Sequence, residues 1–461
     1  MDRISTGNVG ADRILQGGFP ARSINIIMGA PGTGKTLFAE QMAFANLGDR
    51  PVLYLTTVSE PLSKVITYLQ QYSFADPDQI GSRIIYESLG QNLTARPESL
   101  QETVTELLKL HRPSLIIIDS FKAVADLLPD RVAWRRTLYE LAGLLSAYDA
   151  TCFWIGEYAT GTISEAPEFA VADGILELSR TQTGSRDERF LRIVKLRGSG
   201  FLEGSHFFRI TRSGLDVFVR LVAPDAPPDQ QVVAERLASG IAGLDRMIET
   251  GWLRGTSTIV AGPAGSGKTS IGLHFLREGV ARDEPGLLVN FQETPTQLQR
   301  GLASFGWQPD ALLGPGRLDV LYTSPVELQL DSIVTEMFRR VEANRVRRVV
   351  IDSLGDLAQS ANDPLRFRDY MYALTQYLVS RGVTAMILME TPGIYAEQRA
   401  AFGVEVSQLS DNVLLLGMEL EHDLRRTVRI IKSRGSAHEG RRLDLTISAR
   451  GVAIGSAGRG A

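Results

Sequence analysis

Two stretches of this 461-residue sequence could hold a chain of phosphates: "GAPGTGKT", Gly29 to Thr36, and "GPAGSGKT", Gly262 to Thr269. Each has the spacing G-x-x-x-x-G-K-[ST], and each lies between an apolar run and a helical pattern. Glycines let backbone N–H groups close around phosphate oxygens at a helix start, where peptide dipoles already favour an anion. The spacing assigns phosphate contacts to Gly32, Thr33, Gly34, Lys35, Thr36 and Leu37, and to Gly265, Ser266, Gly267, Lys268, Thr269 and Ser270. The two lysines would meet β- and γ-phosphates, and the hydroxyls of Thr36 and Thr269 would ligate Mg2+. Asp119 and Asp352 each close an apolar run, where a carboxylate can hold the shell of the same ion. No N-K-x-D guanine-reading motif follows, so ATP with Mg2+ is the expected ligand.

Hydrolysis needs a further group that orients or deprotonates the attacking water. In the second half the strand after the loop helix ends in Gln292-Glu293-Thr294-Pro295, and Glu293 is the candidate base, with Gln292 able to position water. In the first half the end reads Val58-Ser59-Glu60-Pro61. Counted from the loop lysine, Glu60 matches Glu293; counted back from the proline, Ser59 does. One residue matters because successive strand side chains point to opposite faces. The segment "GDRPV" before the first strand is shorter than "RDEPGL", which favours the proline count, and a bulge would return Glu60 to the site.

Two further strands pair cations: Lys195 with Arg197 in "IVKLRGSG", and Lys432 with Arg434 in "IIKSRGSAH", with His438 beyond. On a strand i and i+2 share a face, which suits an anionic ligand. The natural target is a neighbouring subunit's ATP, since arginine fingers act in trans and contribute roughly 10³–10⁵ in rate.

The elements that must carry these groups repeat. Gly7/Gly240, Asp12/Asp245, Lys35/Lys268, Asp119/Asp352 and Glu157/Glu390 all keep one offset of 233 residues. The chain is therefore expected to contain two homologous domains, 1–222 and 234–450, joined by the Pro- and Asp-rich linker 223–233 and followed by a flexible tail, 451–461. Continuous apolar runs such as "SINIIMG" and "SLIIIDS" alternate with helical patterns, as in a mostly parallel sheet flanked by helices. Each half ends in hairpin-like strands. The formal net charge of -4 argues against a dedicated nucleic-acid binder, and a single cysteine, Cys152, excludes an intrachain disulfide framework. The first residues lack the apolar core of a secretion signal, and the longest apolar runs are strand-length, so a cytoplasmic protein without a membrane span is expected.

The chain resembles the KaiC family of tandem RecA-like P-loop ATPases. The residues that carry the resemblance are "TGNVGADRILQGGFP", both phosphate loops, "DEPGLLVNFQETPTQLQRGLASFGW", "VVIDSL" and the two Lys-x-Arg-Gly strands. It implies an α/β fold of two RecA-like domains, a homohexamer with ATP at subunit interfaces, and Lys-x-Arg contacts made from the adjacent subunit. It also implies a slow ATPase that signals conformationally to a regulatory protein partner. In the family two adjacent acids stand where this chain has Gln292-Glu293 and Val58-Ser59-Glu60. The family's clock protein autophosphorylates an adjacent Ser/Thr pair; the corresponding "VEVSQLSDNV" has Ser407 followed by Gln408, so any autokinase activity is residual. Two alternatives remain: a RecA/RadA-like DNA recombination paralog and a non-hydrolysing, ATP-stabilised scaffold. Against the first, the loops where such proteins bind DNA carry Glu157, Glu165, Glu168, Glu390, Glu397 and Glu405 against Arg399.

Overall fold

The structure, a computed structural model, describes residues 2–57, 62–89, 99–127, 130–159, 161, 163, 165–183, 186–221, 234–361, 363–391, 400–401, 404–405, 410–420 and 423–455. The chain forms two compact units, Met1–Arg220 and Leu221–Ala461. The expected linker, 223–233, lies outside the described residues.

Among the described residues each unit is built on a sheet of nine strands. In the first these are β1 (Ile24–Met28), β2 (Val52–Thr56), β3 (Ile84–Ser88), β4 (Leu115–Asp119), β5 (Thr151–Gly156), β6 (Gly174–Thr183), β7 (Arg186–Leu196), β8 (His206–Thr211) and β9 (Gly214–Val217). They lie in the order β9-β8-β7-β6-β1-β5-β4-β2-β3. The second unit repeats them as β10 (Ser257–Gly262), β11 (Gly286–Asn290), β12 (Leu318–Tyr322), β13 (Arg348–Asp352), β14 (Thr384–Glu390), β15 (Asn412–Leu420), β16 (Leu424–Ser433), β17 (Leu443–Ser448) and β18 (Gly451–Gly455), in the same spatial order. The first six strands of each unit pair in parallel, and the last three add an antiparallel extension. These are two tandem RecA-like folds.

The continuous apolar runs have a direct cause. Ile24, Ile26 and Met28 enter one core while Ile27 enters the other, so helices on both faces bury every position of β1. Ile116 and Ile118 oppose Leu115 and Ile117 in the same way. One expectation is corrected: Gly451–Gly455, placed in the tail, forms edge strand β18 against β17, because its apolar Val452 and Ile454 complete the second unit's core.

The repeated N-terminal motif proves to be a structural clasp. The Thr6 backbone N–H donates to Asp12 Oδ1 at 2.7 Å, and the Ser239 N–H to Asp245 Oδ1 at 2.7 Å. Gly10 and Gly243 lie under the returning hairpins; a Cβ there would come within 2.0 Å of Val217 O and 2.2 Å of Ile454 O. The helices after the phosphate loops, α1 (Lys35–Ala45) and α2 (Lys268–Val280), grip the same hairpins. Leu215 N–H donates to Gln41 Oε1 and Val452 N–H to His274 Nε2, both at 3.0 Å. Burial pushes His274 down to about 4, so its ring stays neutral and free to accept that bond.

Candidate active site

Both phosphate loops have the same backbone. Gly32 and Gly34 take φ of +73° and +101°, and Gly265 and Gly267 take +77° and +102°, values a side chain would resist. Gly34 and Gly267 begin α1 and α2 without any side-chain cap, so the first N–H groups of each helix point into the loop without a side-chain acceptor. Thr33 and Ser266 are buried beneath, and Ser266 Oγ has no hydrogen-bond partner among the described residues. Lys35 Nζ donates to Gly29 O and Ala30 O at 2.9 and 2.8 Å, and Lys268 Nζ to Gly262 O and Pro263 O, both at 2.9 Å. The Thr36 hydroxyl donates to Asp119 Oδ2 and the Thr269 hydroxyl to Asp352 Oδ2, both at 2.7 Å. Leu37 and Ser270 follow in the first helical turns, half-buried. An uncapped helix start, an ammonium and a hydroxyl–carboxylate pair together fit a polyphosphate with a hard cation.

The electrostatics agree between the sites. Burial lowers Lys35 and Lys268, opposed by Glu157 with Asp119 and by Glu390 with Asp352 respectively. Burial raises Asp119 and Asp352, opposed chiefly by the Thr36 and Thr269 hydroxyls. Glu157 and Glu390 stand at or just past the ends of β5 and β14. Their repetition was visible in the sequence; their facing of the loop lysines was not.

The acidic turn differs. In the second unit Asn290 accepts from the N–H groups of Gln292 and Glu293, both at 3.2 Å, and donates to Glu293 O at 2.7 Å, which folds the strand end into a tight turn. Glu293 is half-buried there, and burial, then Asp352, raises its carboxyl. Thr294 caps α3 (Pro295–Ser304) in a reciprocal box with Gln297. In the first unit Thr56 pairs with Asp119 as Asn290 pairs with Asp352, and Thr57 N–H donates to Asp119 O as Phe291 N–H does to Asp352 O. The strands therefore correspond at an offset of 234, one more than the loops and the metal-side acids. The missing residue lies before β2. Ser59 and Glu60 themselves lie outside the described residues.

A family profile described as "ATPase: KaiC" matches residues 4–221 and again residues 237–459. The chain belongs to the KaiC family of ATPases. It is 26% identical to the circadian clock oscillator protein KaiC of Picosynechococcus sp., over 98% of this chain and 90% of that protein. To KaiC 1 and KaiC3 of Synechocystis sp. it is 27% and 26% identical, over 95% and 99% of this chain and 86% and 92% of those proteins.

Within this KaiC-family chain the first site carries a polar network that, among the described residues, the second lacks. Tyr54 Oη donates to Asp119 Oδ2 at 3.2 Å, the Tyr54 and Tyr86 rings stack with centroids 5.0 Å apart, and Tyr86 Oη donates to Glu40 Oε2 at 2.6 Å. Glu40 is 4% exposed, and burial raises its carboxyl to about 8. The matching positions in the second unit are Leu273 and Leu288, in the core, and Val320, packed against it. A glutamate at an apolar helix position was the available sequence signal; its partners come from two strands and could not be paired with it from spacing.

The Lys-x-Arg pairs stand at the ends of hairpin strands β7 and β16. β7 ends at Leu196 and β16 at Ser433, so Arg197 and Arg434 stand just beyond the strands, and a bulge precedes each lysine. The bulge does not fall between the two cations: the Arg197 and Arg434 N–H groups donate to Asp173 O and Asp411 O, continuing the pairing of Lys195 with Ile175 and of Lys432 with Val413. Each lysine still feels its arginine: burial and then Arg197 or Arg434 lower Lys195 and Lys432. Lys195 Nζ donates to Phe169 O at 3.2 Å, Lys432 Nζ donates to Ser410 O at 2.6 Å, and Arg197 lies 3.6 Å from Asp173. His438 is exposed. Glu168, counted among the acids of these loops, is 2% exposed and accepts from Tyr158 Oη at 2.8 Å and from Trp134 Nε1 at 3.4 Å. Among the described residues no helix is long and apolar enough to cross a membrane.

Proposed function

We propose that this KaiC-family ATPase binds ATP at both phosphate loops and hydrolyses it slowly, with Glu293 as the base of the second site. Thr36 with Asp119, and Thr269 with Asp352, would hold Mg2+, which supplies charge neutralisation at the β- and γ-phosphates. Lys35 and Lys268 neutralise the same oxygens. Glu293 takes the proton of the attacking water, and burial, which raises its carboxyl, makes it the stronger base. The strand offset counts Ser59, a residue that cannot serve as a base at neutral pH, onto Glu293 and Glu60 onto the helix-capping Thr294. The first site on this reading holds ATP and turns it over far more slowly. Lys195, Arg197, Lys432, Arg434 and His438 reach the nucleotide of the adjacent subunit in a cytoplasmic homohexamer, whose state is read by a protein partner.

The observation that carries this reading is the Asn290-built turn that sets Glu293 within electrostatic reach of Asp352, beside the Thr269 hydroxyl pair. Phosphate release by the full chain with ATP and Mg2+ tests it: Glu293→Gln should remove most of the turnover, on the order of 10²-fold at that site. Equal turnover in both proteins would refute the assignment, and no release by either would leave the ATP-stabilised scaffold. Labelled ATP tests autophosphorylation: label that Ser407→Ala removes would add a kinase activity. Ser407 lies outside the described residues.

A further inference from the structure

Gln292 stands one residue before Glu293, and its Nε2 lies 3.2 and 3.4 Å from the two carboxylate oxygens of Asp356. Asp356 belongs to the first turn of α4 (Leu354–Ala361), is 8% exposed, and also accepts from Ser353 Oγ at 2.6 Å. A carboxylate can only accept, so it selects the NH2 end of the amide and turns the carbonyl Oε1 away from itself. The first unit has neither partner. Ala123 takes the place of Asp356 at the offset relating Asp119 to Asp352, and Val58 counts onto Gln292. Within one chain the amide and the carboxylate thus occur together and are missing together.

We propose that Asp356 is a positioning residue for hydrolysis at the second site: it holds Gln292 with Oε1 outward, as an acceptor for the water that Glu293 activates. The proposal rests on the reading of Glu293 as the base. In the step concerned the water oxygen bonds to the γ-phosphorus, the bond to the bridging oxygen breaks and ADP leaves, and the water proton passes to Glu293. An acceptor opposite the base fixes the second hydrogen of that water and aims its lone pair. Without Asp356 the exposed amide is free to rotate and present NH2 instead. A glutamate at 292 would offer an acceptor in either orientation, but beside Asp356 it would set two like charges at hydrogen-bond distance.

The two positions should therefore show sign epistasis. Phosphate release is measured on the full chain with ATP and Mg2+, and the second site's share is the rate that Glu293→Gln removes. Asp356→Ala and Gln292→Glu should each lower that share about tenfold, the order expected for losing one hydrogen bond to a charged group. The effect should fall on kcat, with affinity for a fluorescent ATP analogue kept within about threefold. The double variant should return to within about threefold of the wild-type rate, which a folding defect in either single variant could not produce. Losses that simply multiply in the double variant, or an unchanged rate in Asp356→Ala, would overturn the proposal while leaving Glu293 as the base. A wild-type rate that Glu293→Gln does not alter would remove both.

Discussion

Glu40 makes the first unit's stability depend on pH at a position where the second unit has the non-ionising Leu273. Its carboxyl is held at about 8 in the fold against 4.5 as the ordinary value, because it is buried under β2 and β3. Tyr86 on β3 donates to it and opposes the shift; Asp119 on β4 adds to it from beyond Tyr54. Between these two values the unfolded chain has released the proton and the folded chain has kept it. Stability is therefore fully present below pH 4.5 and declines as pH rises to about 8, by about 1.4 kcal/mol per pH unit. The whole window is worth on the order of 5 kcal/mol. Glu40→Gln keeps an acceptor for the Tyr86 hydroxyl and removes the ionisation. Trp252→Phe and Trp307→Phe in both proteins leave Trp134 and Trp154, which is stacked on Phe121 at 4.1 Å, to report the first unit alone. Urea unfolding followed by tryptophan fluorescence from pH 5 to 9 should show the wild type losing stability relative to Glu40→Gln, with the difference levelling near pH 8. Parallel profiles would refute the reasoning, because they would mean that the carboxyl ionises in the fold as it does in the unfolded chain.

Other outcomes follow from the same geometry. Arg348 is fully buried and donates to Ala238 O, Phe275 O and Glu284, at a position where the first unit has Leu115. Arg348→Ala should destabilise the second unit by about 3 kcal/mol in urea unfolding, with part of the loss recovered by also changing Glu284 to Gln. Gly243→Ala would force a Cβ to 2.2 Å from Ile454 O and should cost about 2–3 kcal/mol, seen as faster hydrogen exchange in β17 and β18. If Arg434 acts on the neighbouring subunit's nucleotide, Lys268→Ala and Arg434→Ala chains, each deficient alone, should complement when mixed. Equal amounts would reconstitute about a quarter of the interfaces of a ring, and a mixture no more active than its parts would place Arg434 in its own subunit's site.

Much of the site was legible because it is local. A phosphate loop is a run of eight residues, and its glycines, lysine and hydroxyl act on a ligand through a turn whose shape those residues themselves impose. Buried parallel strands announce themselves as continuous apolar runs, so Asp119 and Asp352 could be placed at strand ends. The Lys-x-Arg pairs were legible as residues, whereas the bulge that precedes each lysine was not, since a bulge is decided by how two strands pair.

What the sequence by itself determined is therefore the duplication, the fold of each half and the two phosphate loops, all carried by short-range pattern. The tertiary structure decided the rest. Which residue of "TTVSEP" counts onto Glu293 depends on the register of β2 against β4, set by cross-strand hydrogen bonds at Thr56 and Thr57. Glu40 with Tyr86 and Tyr54, and Gln292 with Asp356, meet from elements 14 to 64 residues apart. Such meetings depend on strand order and helix packing, and no local spacing encodes them.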